Sequence, residues 1–398
     1  MAGATSEQKN QVLQAMIDGL RARADEIVQA NADDKAAAAE NGVSPNLVKR
    51  LTFDRAKLDS RLTSLGKIAA LDDPVGTTIR RETLANGMTA ERVRVPLGVI
   101  LMIYEARPHV SINAGAFCMK AGNAAILRGG SEAARCNAIL GDLWQTALER
   151  GGLPVDAIQM ISGSHDDIRE LLQQDDCIDL VIPRGGKGLI EAVAEQSRIP
   201  VIKHYAGVCH VYVDADADLD QASDIVIDSK CLMPEVCNAL ETVLVSAGTP
   251  GAVTRLVADL RACGVRVKGC ERTRAIAPDV EAAGEDDWTE EYLDKVLSMR
   301  VVDDVEQAVE HINRYGSHHT DSIVTRNAET AAVFRQRVDS GVVLVNASTM
   351  FCDGESLGMG AEIGISTDKI HARGPMGLEE LTSYKFVIEG QGNVMSNP

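Results

Sequence analysis

Residues 98–130 read GVILMIYEARPHVSINAGAFCMKAGNAAILRGG. An apolar run, Val99–Tyr104, precedes a helical segment rich in small residues, Val110–Lys120, and a second apolar run follows at residues 124–127. A further helix is predicted over residues 131–149. Because short buried strands that alternate with helices pair in parallel and carry helices on both faces, this stretch predicts a doubly wound α/β sheet of the Rossmann-like kind.

The same alternation continues along the chain. Further strands are predicted at residues 158–161, 178–182 and 201–202. A second α/β pattern begins near Cys237, with a helix at 236–242, a strand at 243–245, a helix at 252–261 and strands near Val301, Ile323 and Val342. The chain has 398 residues, a length that suits more than one domain.

Other local signals flank these two patterns. The first ninety residues are predicted to be mainly helical, with a capping box at Thr5 and Gln8 and a Ser44-Pro45 helix start. Asn86-Gly87 predicts a hairpin within residues 80–95. Residues 353–364 read as a long ordered loop, and residues 381–388 as an exposed strand.

Composition limits the function classes. The formal net charge is -18, so general nucleic-acid binding is not expected. The nine cysteines have irregular spacings and form no CxxC pair, which indicates a reduced, cytoplasmic chain. No apolar run approaches the roughly 20 residues needed to span a bilayer. The eight histidines show no zinc spacing, and no metal is predicted.

Two glycine-rich turns are candidates for binding an anionic cofactor, although the fingerprint GxGxxG is absent. Residues 184–188, RGGKG, follow a predicted strand and open a helix, where backbone N–H groups can bind phosphate. The alternative is a tight turn that needs glycine for its backbone alone. Residues 128–131, RGGS, repeat the arrangement, and two such turns in one sheet favour the cofactor interpretation.

Cys237 is the candidate nucleophile. Pro234 is expected to end the preceding segment and to leave Cys237 near a helix start, where the helix dipole lowers a thiol pKa. A thiolate there could attack a carbonyl, and nearby N–H groups could hold the oxyanion. The alternative is a buried, inert cysteine.

Six segments carry a resemblance to a known family. They occur in the family's order and span nearly the whole chain: VPLGVI (95–100), YEARP (104–108), IPRGG (182–186), CNALET (237–242), NAST (346–349) and HARGPMGLE (371–379). Together they resemble the gamma-glutamyl phosphate reductase family, the glutamate-5-semialdehyde dehydrogenases of proline biosynthesis.

The resemblance implies an aldehyde-dehydrogenase-like α/β fold with three parts. Residues 1–84 and 96–206 would form a Rossmann-like cofactor-binding domain, and residues 207–352 an α/β catalytic domain. Residues 353–375 would be an ordered loop that joins them. Residues 85–95 and 376–398 would form a β-flap used for oligomerisation, since free strand edges invite pairing with another subunit.

The resemblance also implies roles for individual residues. Cys237 matches the nucleophile, while Arg107, Asn238 and Asn346 are candidates for substrate binding; Arg107 would hold the acyl phosphate, with a structural ion pair as the alternative. Asn346 could instead cap a turn. The cofactor-binding candidates are Arg128, Gly129, Arg184, Gly185, Gly186, Gly188 and Glu291.

The implied reaction is the NADPH-dependent reduction of L-glutamyl 5-phosphate through a cysteine thioester. Hydrolytic aldehyde dehydrogenases carry a glutamate base ahead of the nucleophile, and the corresponding stretch here, residues 203–208, has no acid. The alternatives are a phosphate-independent dehydrogenase of another semialdehyde and a catalytically silent binding protein.

Some features depart from the family or stay open. His109 and Asn113 stand where Asn and Asp are usual, Met350 replaces an arginine, and Leu357 replaces a phenylalanine. No residue that would distinguish NADPH (NADP+) from NADH is identified. A homo-oligomer, dimer or tetramer, is implied, and a transient contact with glutamate 5-kinase is conceivable.

Overall fold

The computed structural model describes residues 1–203 and 205–395. The chain divides into two compact units. Unit 1 comprises Met1–Lys203, Met359–Gly364 and Met376–Pro398, and unit 2 comprises His204–Gly358 and Ile365–Pro375. His204 of the segment 203–208 and the last three residues of the predicted flap, 396–398, lie outside the described residues.

Unit 1 begins with four helices: α1 (Ser6–Ala22), α2 (Ala24–Glu40), α3 (Pro45–Leu51) and α4 (Arg55–Ala70). The capping box at the start of α1 is confirmed, because Thr5 accepts from the Gln8 N–H and Gln8 accepts from the Thr5 N–H. Ser44 caps α3, with Pro45 in its first turn.

The next elements of unit 1 are β1 (Thr78–Thr83), β2 (Thr89–Pro96), β3 (Val99–Tyr104), α5 (Val110–Lys120), β4 (Ala124–Gly129), α6 (Ala134–Arg150), β5 (Ile158–Ile161), α7 (His165–Leu171), β6 (Leu180–Arg184) and α8 (Lys187–Gln196). Strands β5-β4-β3-β6 pair in parallel in that order, which confirms the predicted sheet. The predicted strand at 201–202 is reduced to one bridge between Val201 and Val181.

Unit 2 contains β7 (Cys209–Val213), α9 (Leu219–Cys231), β8 (Leu240–Ser246), α10 (Ala252–Ala262), β9 (Arg266–Gly269), α11 (Glu271–Ile276), β10 (Glu281–Ala282), β11 (Val296–Val302), α12 (Val305–Tyr315), β12 (Thr320–Val324), α13 (Ala328–Arg337) and β13 (Val342–Val345). Its sheet runs β10-β9-β11-β8-β7-β12-β13, and the pairs are parallel. Apolar clusters cover both faces of this sheet, as a doubly wound arrangement requires.

The predicted hairpin and the predicted tail strand belong to one small sheet. The last strands are β14 (Gly364–Ser366), β15 (Gly374–Met376) and β16 (Thr382–Glu389), and β16 pairs antiparallel with β2, which also pairs with β1. Large apolar side chains on β16, Tyr384, Phe386 and Ile388, are exposed. In the described part of the chain, no helix has the length and apolarity required to cross a membrane.

Candidate active site

Cys237 lies in a turn and not at a helix start. Helix α9 ends at Cys231, residues 232–239 form turns, and β8 begins at Leu240. The predicted helix at 236–242 is therefore wrong. All seven residues of β8 are buried, so its run LETVLVS is a strand covered on both faces. Cys237 itself is half-buried, and a helix dipole cannot be the cause of an activated thiol here.

A buried ion pair closes the two ends of the turn. The Lys230 ammonium, in the last turn of α9, lies 2.7 Å from the Glu241 carboxylate, in the second position of β8. Both side chains are almost completely buried. Because the two residues flank the stretch that carries Cys237, the ion pair holds the end of the helix against the start of the strand.

The environment of Glu241 favours its protonated form. Burial raises the pKa of Glu241 to about 7, and Lys230 and a hydrogen bond from the Leu293 N–H oppose that rise only in part. The neighbouring Glu291 raises it further. The turn that carries Cys237 is therefore held by a pair whose charge depends on pH near neutrality.

Asn238 fixes the turn from the other side. Its Nδ2 donates to the carbonyl oxygens of Thr349, Met350 and Cys352 at 3.2–3.3 Å. The amide group is thus occupied in joining the turn to residues 349–352, which include Met350, where the resemblance expects an arginine. The predicted contact of Asn238 with substrate stays a prediction.

The segment before β7 packs directly against the backbone of Cys237. A Cβ added to Gly207 would lie 1.6 Å from the Cys237 carbonyl oxygen, so only glycine allows this approach. The Cys209 thiol also donates to that oxygen, at 3.4 Å. The backbone around Cys237 is therefore determined by direct contact with residues 207–209.

Glu291 supports the same contact. Its Oε1 accepts a hydrogen bond from the Gly207 N–H at 2.7 Å. Burial raises the pKa of Glu291, and the bond from Gly207 opposes the rise. The carboxylate predicted to bind the nicotinamide ribose therefore contacts Gly207, which in turn contacts the backbone of Cys237.

The side chain of Asn346 is hydrogen-bonded to the backbone of Thr325. Asn346 follows β13, at the carboxyl end of the parallel sheet, whereas Cys237 precedes β8 at the amino end. Its backbone has φ +55°, and its side chain accepts from the Thr325 N–H and donates to the Thr325 carbonyl, both at 2.9 Å. These hydrogen bonds agree with the turn-capping alternative, and the predicted contact of Asn346 with substrate stays a prediction.

The predicted cofactor residues Arg128 and Gly129 adjoin a pocket in unit 1. This pocket, of about 330 Å³, lies at the carboxyl ends of β4 and β5, where open α/β sheets bind ligands. Gly129 and Gly163 line it, and Arg128 donates to the Gly163 carbonyl at 3.0 Å. The buried Nε of Arg128 has no partner among the described residues. The binding of cofactor by Arg128 and Gly129 stays a prediction.

The second glycine turn already holds a carboxylate. Glu105 accepts a hydrogen bond from the Gly186 N–H at 2.8 Å, and a Cβ on Gly185 would meet the same carboxylate at 2.4 Å. Glycine at position 185 is thus explained by the close approach of Glu105 and Leu189, whereas a Cβ on Gly186 would meet the carboxylate only at 3.8 Å. A Cβ on Gly188 would meet open space. Phosphate binding by Arg184, Gly185, Gly186 and Gly188 stays a prediction.

Comparisons with known proteins agree with the six segments. The model of the aldehyde dehydrogenase family matches residues 1–284. The chain is 49% identical over 396 residues to the gamma-glutamyl phosphate reductase of Moorella thermoacetica, covering 99% of this chain and 95% of that protein. The enzyme of the same name from Thermobifida fusca is 48% identical, with the same coverage. The chain belongs to the gamma-glutamyl phosphate reductase family.

A crystal structure supports the same family at the level of the fold. The gamma-glutamyl phosphate reductase of Thermotoga maritima matches with a TM-score of 0.96 at 40% identity, over 99% of this chain and 95% of that chain. The predicted aldehyde-dehydrogenase-like α/β fold is confirmed. Enzymes of this fold use a nicotinamide cofactor and act on small molecules, usually as oligomers.

The sequence did not lead us to expect that Lys230, Glu241 and Gly207 hold the turn that carries Cys237. One signal was present: Glu241 is the only acid in a strand that is otherwise apolar apart from Thr242 and Ser246, and a buried charge requires a partner. Gly207 carried no local signal, because its φ is not positive and only the approach of Cys237 demands glycine.

Proposed function

We propose that this chain reduces L-glutamyl 5-phosphate to L-glutamate 5-semialdehyde with NADPH and releases phosphate, as a step of proline biosynthesis. Full-length relatives at 48–49% identity that bear the name gamma-glutamyl phosphate reductase support this activity. The observation that carries the proposal is the half-buried Cys237, in a turn whose ends are joined by a buried ion pair and whose backbone is packed against Gly207.

The first step forms a thioester. The Cys237 thiolate attacks the acyl carbon, the bond to the phosphate oxygen breaks, and phosphate leaves with the electron pair. The backbone N–H of Cys237 is the proposed donor to the oxyanion. Arg107 is the proposed cation for the leaving phosphate, since a guanidinium pairs well with oxyanions.

The second step returns the thiolate. The bound nicotinamide supplies a hydride to the thioester carbon, and collapse of the resulting hemithioacetal releases the aldehyde and Cys237. Unit 1 is the proposed cofactor-binding domain, with Arg128 and Gly129 beside the pocket at β4 and β5. Glu291 is the proposed contact for the ribose hydroxyl groups.

Reduction, not hydrolysis, is the proposed fate of the thioester. Residues 203–208 contain no carboxylate, so this segment offers no base to activate water. Glu291, an acid that contacts this segment, accepts a hydrogen bond from the Gly207 N–H. A phosphate-independent aldehyde dehydrogenase remains the alternative, and phosphate dependence separates the two.

The test measures glutamate 5-semialdehyde oxidation with NADP+, with and without inorganic phosphate. Strict dependence on phosphate is expected, and activity without phosphate or arsenate would contradict the proposal. Replacing Cys237 by Ala should abolish turnover and leave NADP+ binding within about twofold, as measured by calorimetry. Normal turnover by that variant would exclude the thioester route.

Three further features belong to the same proposal. NADPH is preferred over NADH, which parallel KM measurements would test. The sheet β1-β2-β16, with exposed Tyr384, Phe386 and Ile388, supports a homo-oligomer, a dimer or tetramer, measurable by light scattering. The proposal includes a cytoplasmic location, where the labile acyl phosphate would be received through transient contact with glutamate 5-kinase.

A further inference from the structure

One face of α4 turns toward the start of α5. Lys57, Arg61 and Ser64 are spaced four and three residues apart, so they share that face. Ser64 accepts a hydrogen bond from Asn113 of α5 at 3.1 Å. The ring of Phe53, just ahead of α4, lies 5.8 Å from the ring of His109. Lys57 and Arg61 therefore lie on the side of α4 that packs near the segment of Arg107 and His109.

Lys57 and Arg61 place two positive charges on this face of α4. Lys57 donates to the Thr52 carbonyl at 2.7 Å, and Arg61 donates to the Ser60 hydroxyl at 3.1 Å. Within residues 1–203 and 205–395, neither of them forms an ion pair with a carboxylate. Both are partly buried, and burial lowers the pKa of each. Their charges are therefore screened less than those of a solvated surface.

Burial and neighbouring cations lower the pKa of Lys57. After burial, Asp54 raises the pKa of Lys57, whereas Arg107, Lys35 and Arg61 each lower it. The carboxylate of Asp54 also caps α4 by accepting the Lys57 N–H at 2.9 Å. One acid thus acts on Lys57 against three cations, while Asp59, the acid within α4, pairs with Arg55.

The polar side chains of His109 and Asn113, near these cations, carry no negative charge. Burial, followed by Arg61, Lys57 and Arg107, lowers the pKa of His109 to about 3, so its imidazole is neutral. Its Nδ1 and the Oδ1 of Asn113 are buried without a partner in the described structure. Asn113 stands where the family resemblance expects an aspartate, so a carboxylate is missing beside the cluster.

We propose that Lys57 and Arg61 join Arg107 in a phosphoryl-binding subsite of unit 1. A phosphoryl oxyanion carries two negative charges and several acceptor oxygens, which an ammonium and two guanidinium groups can meet directly. The neutral His109 and Asn113 let the anion approach without repulsion. The inference rests on the proposed function for its source of phosphoryl groups, either the acyl phosphate or the cofactor.

Binding of inorganic phosphate to the whole protein tests the subsite without turnover. Thermal unfolding is followed with and without phosphate and without NADP+, because a bound cofactor would occupy the subsite if its phosphates are the natural ligand. Phosphate should raise the midpoint of the wild type by several degrees, about 3–6 °C near saturation. The double variant Lys57→Gln/Arg61→Gln should lose that shift. The matched control is Arg55→Gln on the same helix, where Arg55 is exposed and pairs with Asp59.

Kinetics identify the source of the phosphoryl group. For Arg61→Gln, the KM for phosphate in semialdehyde oxidation should rise about tenfold while kcat changes less than threefold, and Arg61→Lys should recover part of the loss. A rise in the KM for NADP+ alone would assign the same subsite to the cofactor's phosphates. Unchanged KM values for both, or an equal phosphate shift in the double variant, would overturn the subsite. A wild type that needs no phosphate would refute the proposed reaction, while the thermal shift still judges the subsite.

Discussion

The Lys230 ammonium and the Glu241 carboxylate meet at 2.7 Å on either side of the turn that carries Cys237, and both side chains are almost fully buried. An ion pair in this position is a constraint on geometry more than a source of stability, because removing two charges from water costs nearly as much as their attraction returns. It joins the last turn of α9 to β8 and so limits where Cys237 can lie.

Replacing Lys230 by Met should destabilise the protein strongly. The change leaves the Glu241 carboxylate buried without its partner, and a loss of about 3–5 kcal/mol in the free energy of unfolding is expected. Urea denaturation followed by circular dichroism measures it. The double variant Lys230→Met/Glu241→Met should recover most of the loss, since no charge is then left buried. A single variant as stable as wild type would show that the pair is not closed in solution.

The free energy of unfolding of the wild type should fall as the pH rises toward neutrality, because the Glu241 carboxyl loses its proton over this range. Burial raises the folded-state pKa of this carboxyl to about 7 from an ordinary value of 4.5. The folded state thus binds the proton more tightly than the unfolded state between these pH values, so unfolding releases it and stability decreases as pH increases. This stabilisation, of up to about 3 kcal/mol, is fully present below about pH 4.5 and is lost as the pH rises through about 7.

Denaturation midpoints of the wild type and of the double variant Lys230→Met/Glu241→Met at pH 5, 6, 7 and 8 measure this effect. The double variant lacks both groups, so subtracting its values removes the contribution of the other carboxyl groups. As the pH is lowered, the wild type should become more stable relative to the double variant. A difference that stays constant over this range would contradict the raised pKa.

Replacing Gly207 by Ala should impair turnover far more than it changes cofactor binding. The added Cβ would overlap the Cys237 carbonyl oxygen at 1.6 Å, so the turn or residues 205–208 must move. A displacement of about 1 Å at a reacting group costs roughly 100-fold in rate, and a fall of at least that size in kcat is expected. Gly284→Ala is the matched control, because its Cβ would meet its nearest neighbour at 3.8 Å. Wild-type kcat in Gly207→Ala would mean that the turn tolerates the shift.

Replacing Glu291 by Gln separates two roles of this carboxylate. Glutamine keeps an oxygen that can accept the Gly207 N–H, so the position of Cys237 and the value of kcat should be nearly preserved. Loss of the charge should weaken hydrogen bonds to ribose hydroxyls, and the KM for NADP+ should rise about tenfold. Steady-state kinetics at saturating semialdehyde and phosphate provide the measurement.

The exposed Glu290→Gln, one residue earlier, is the control for a change of one charge. If Glu291→Gln lowers kcat and leaves the KM for NADP+ unchanged, the carboxylate acts through Gly207 and not on the cofactor.

Several elements could be predicted because their signals are local. The bounds of α5 match the sequence reading, since its small residues lie between a strand and the Gly122 turn, and the Thr5 capping box depends on residues three apart. The helix at 236–242 failed because a strand buried on both faces has a continuous apolar pattern, which periodicity alone cannot distinguish from a helix. Residues 209–213 carried no strand prediction, yet β7 is an interior strand of the unit 2 sheet, next to the central β8.

The amino-acid sequence alone determined the family and supplied Cys237 as the candidate nucleophile, because the six segments and the Cys237 motif are contiguous strings that need no folding to be recognised. Tertiary structure decided how that residue is held. Gly207 is 30 positions from Cys237 and 84 from Glu291, and Arg61 acts beside residues more than 40 positions away. Contacts of this kind come from the packing of distant segments, whose free energy depends on burial and distance in the folded chain and leaves no periodic trace in the sequence.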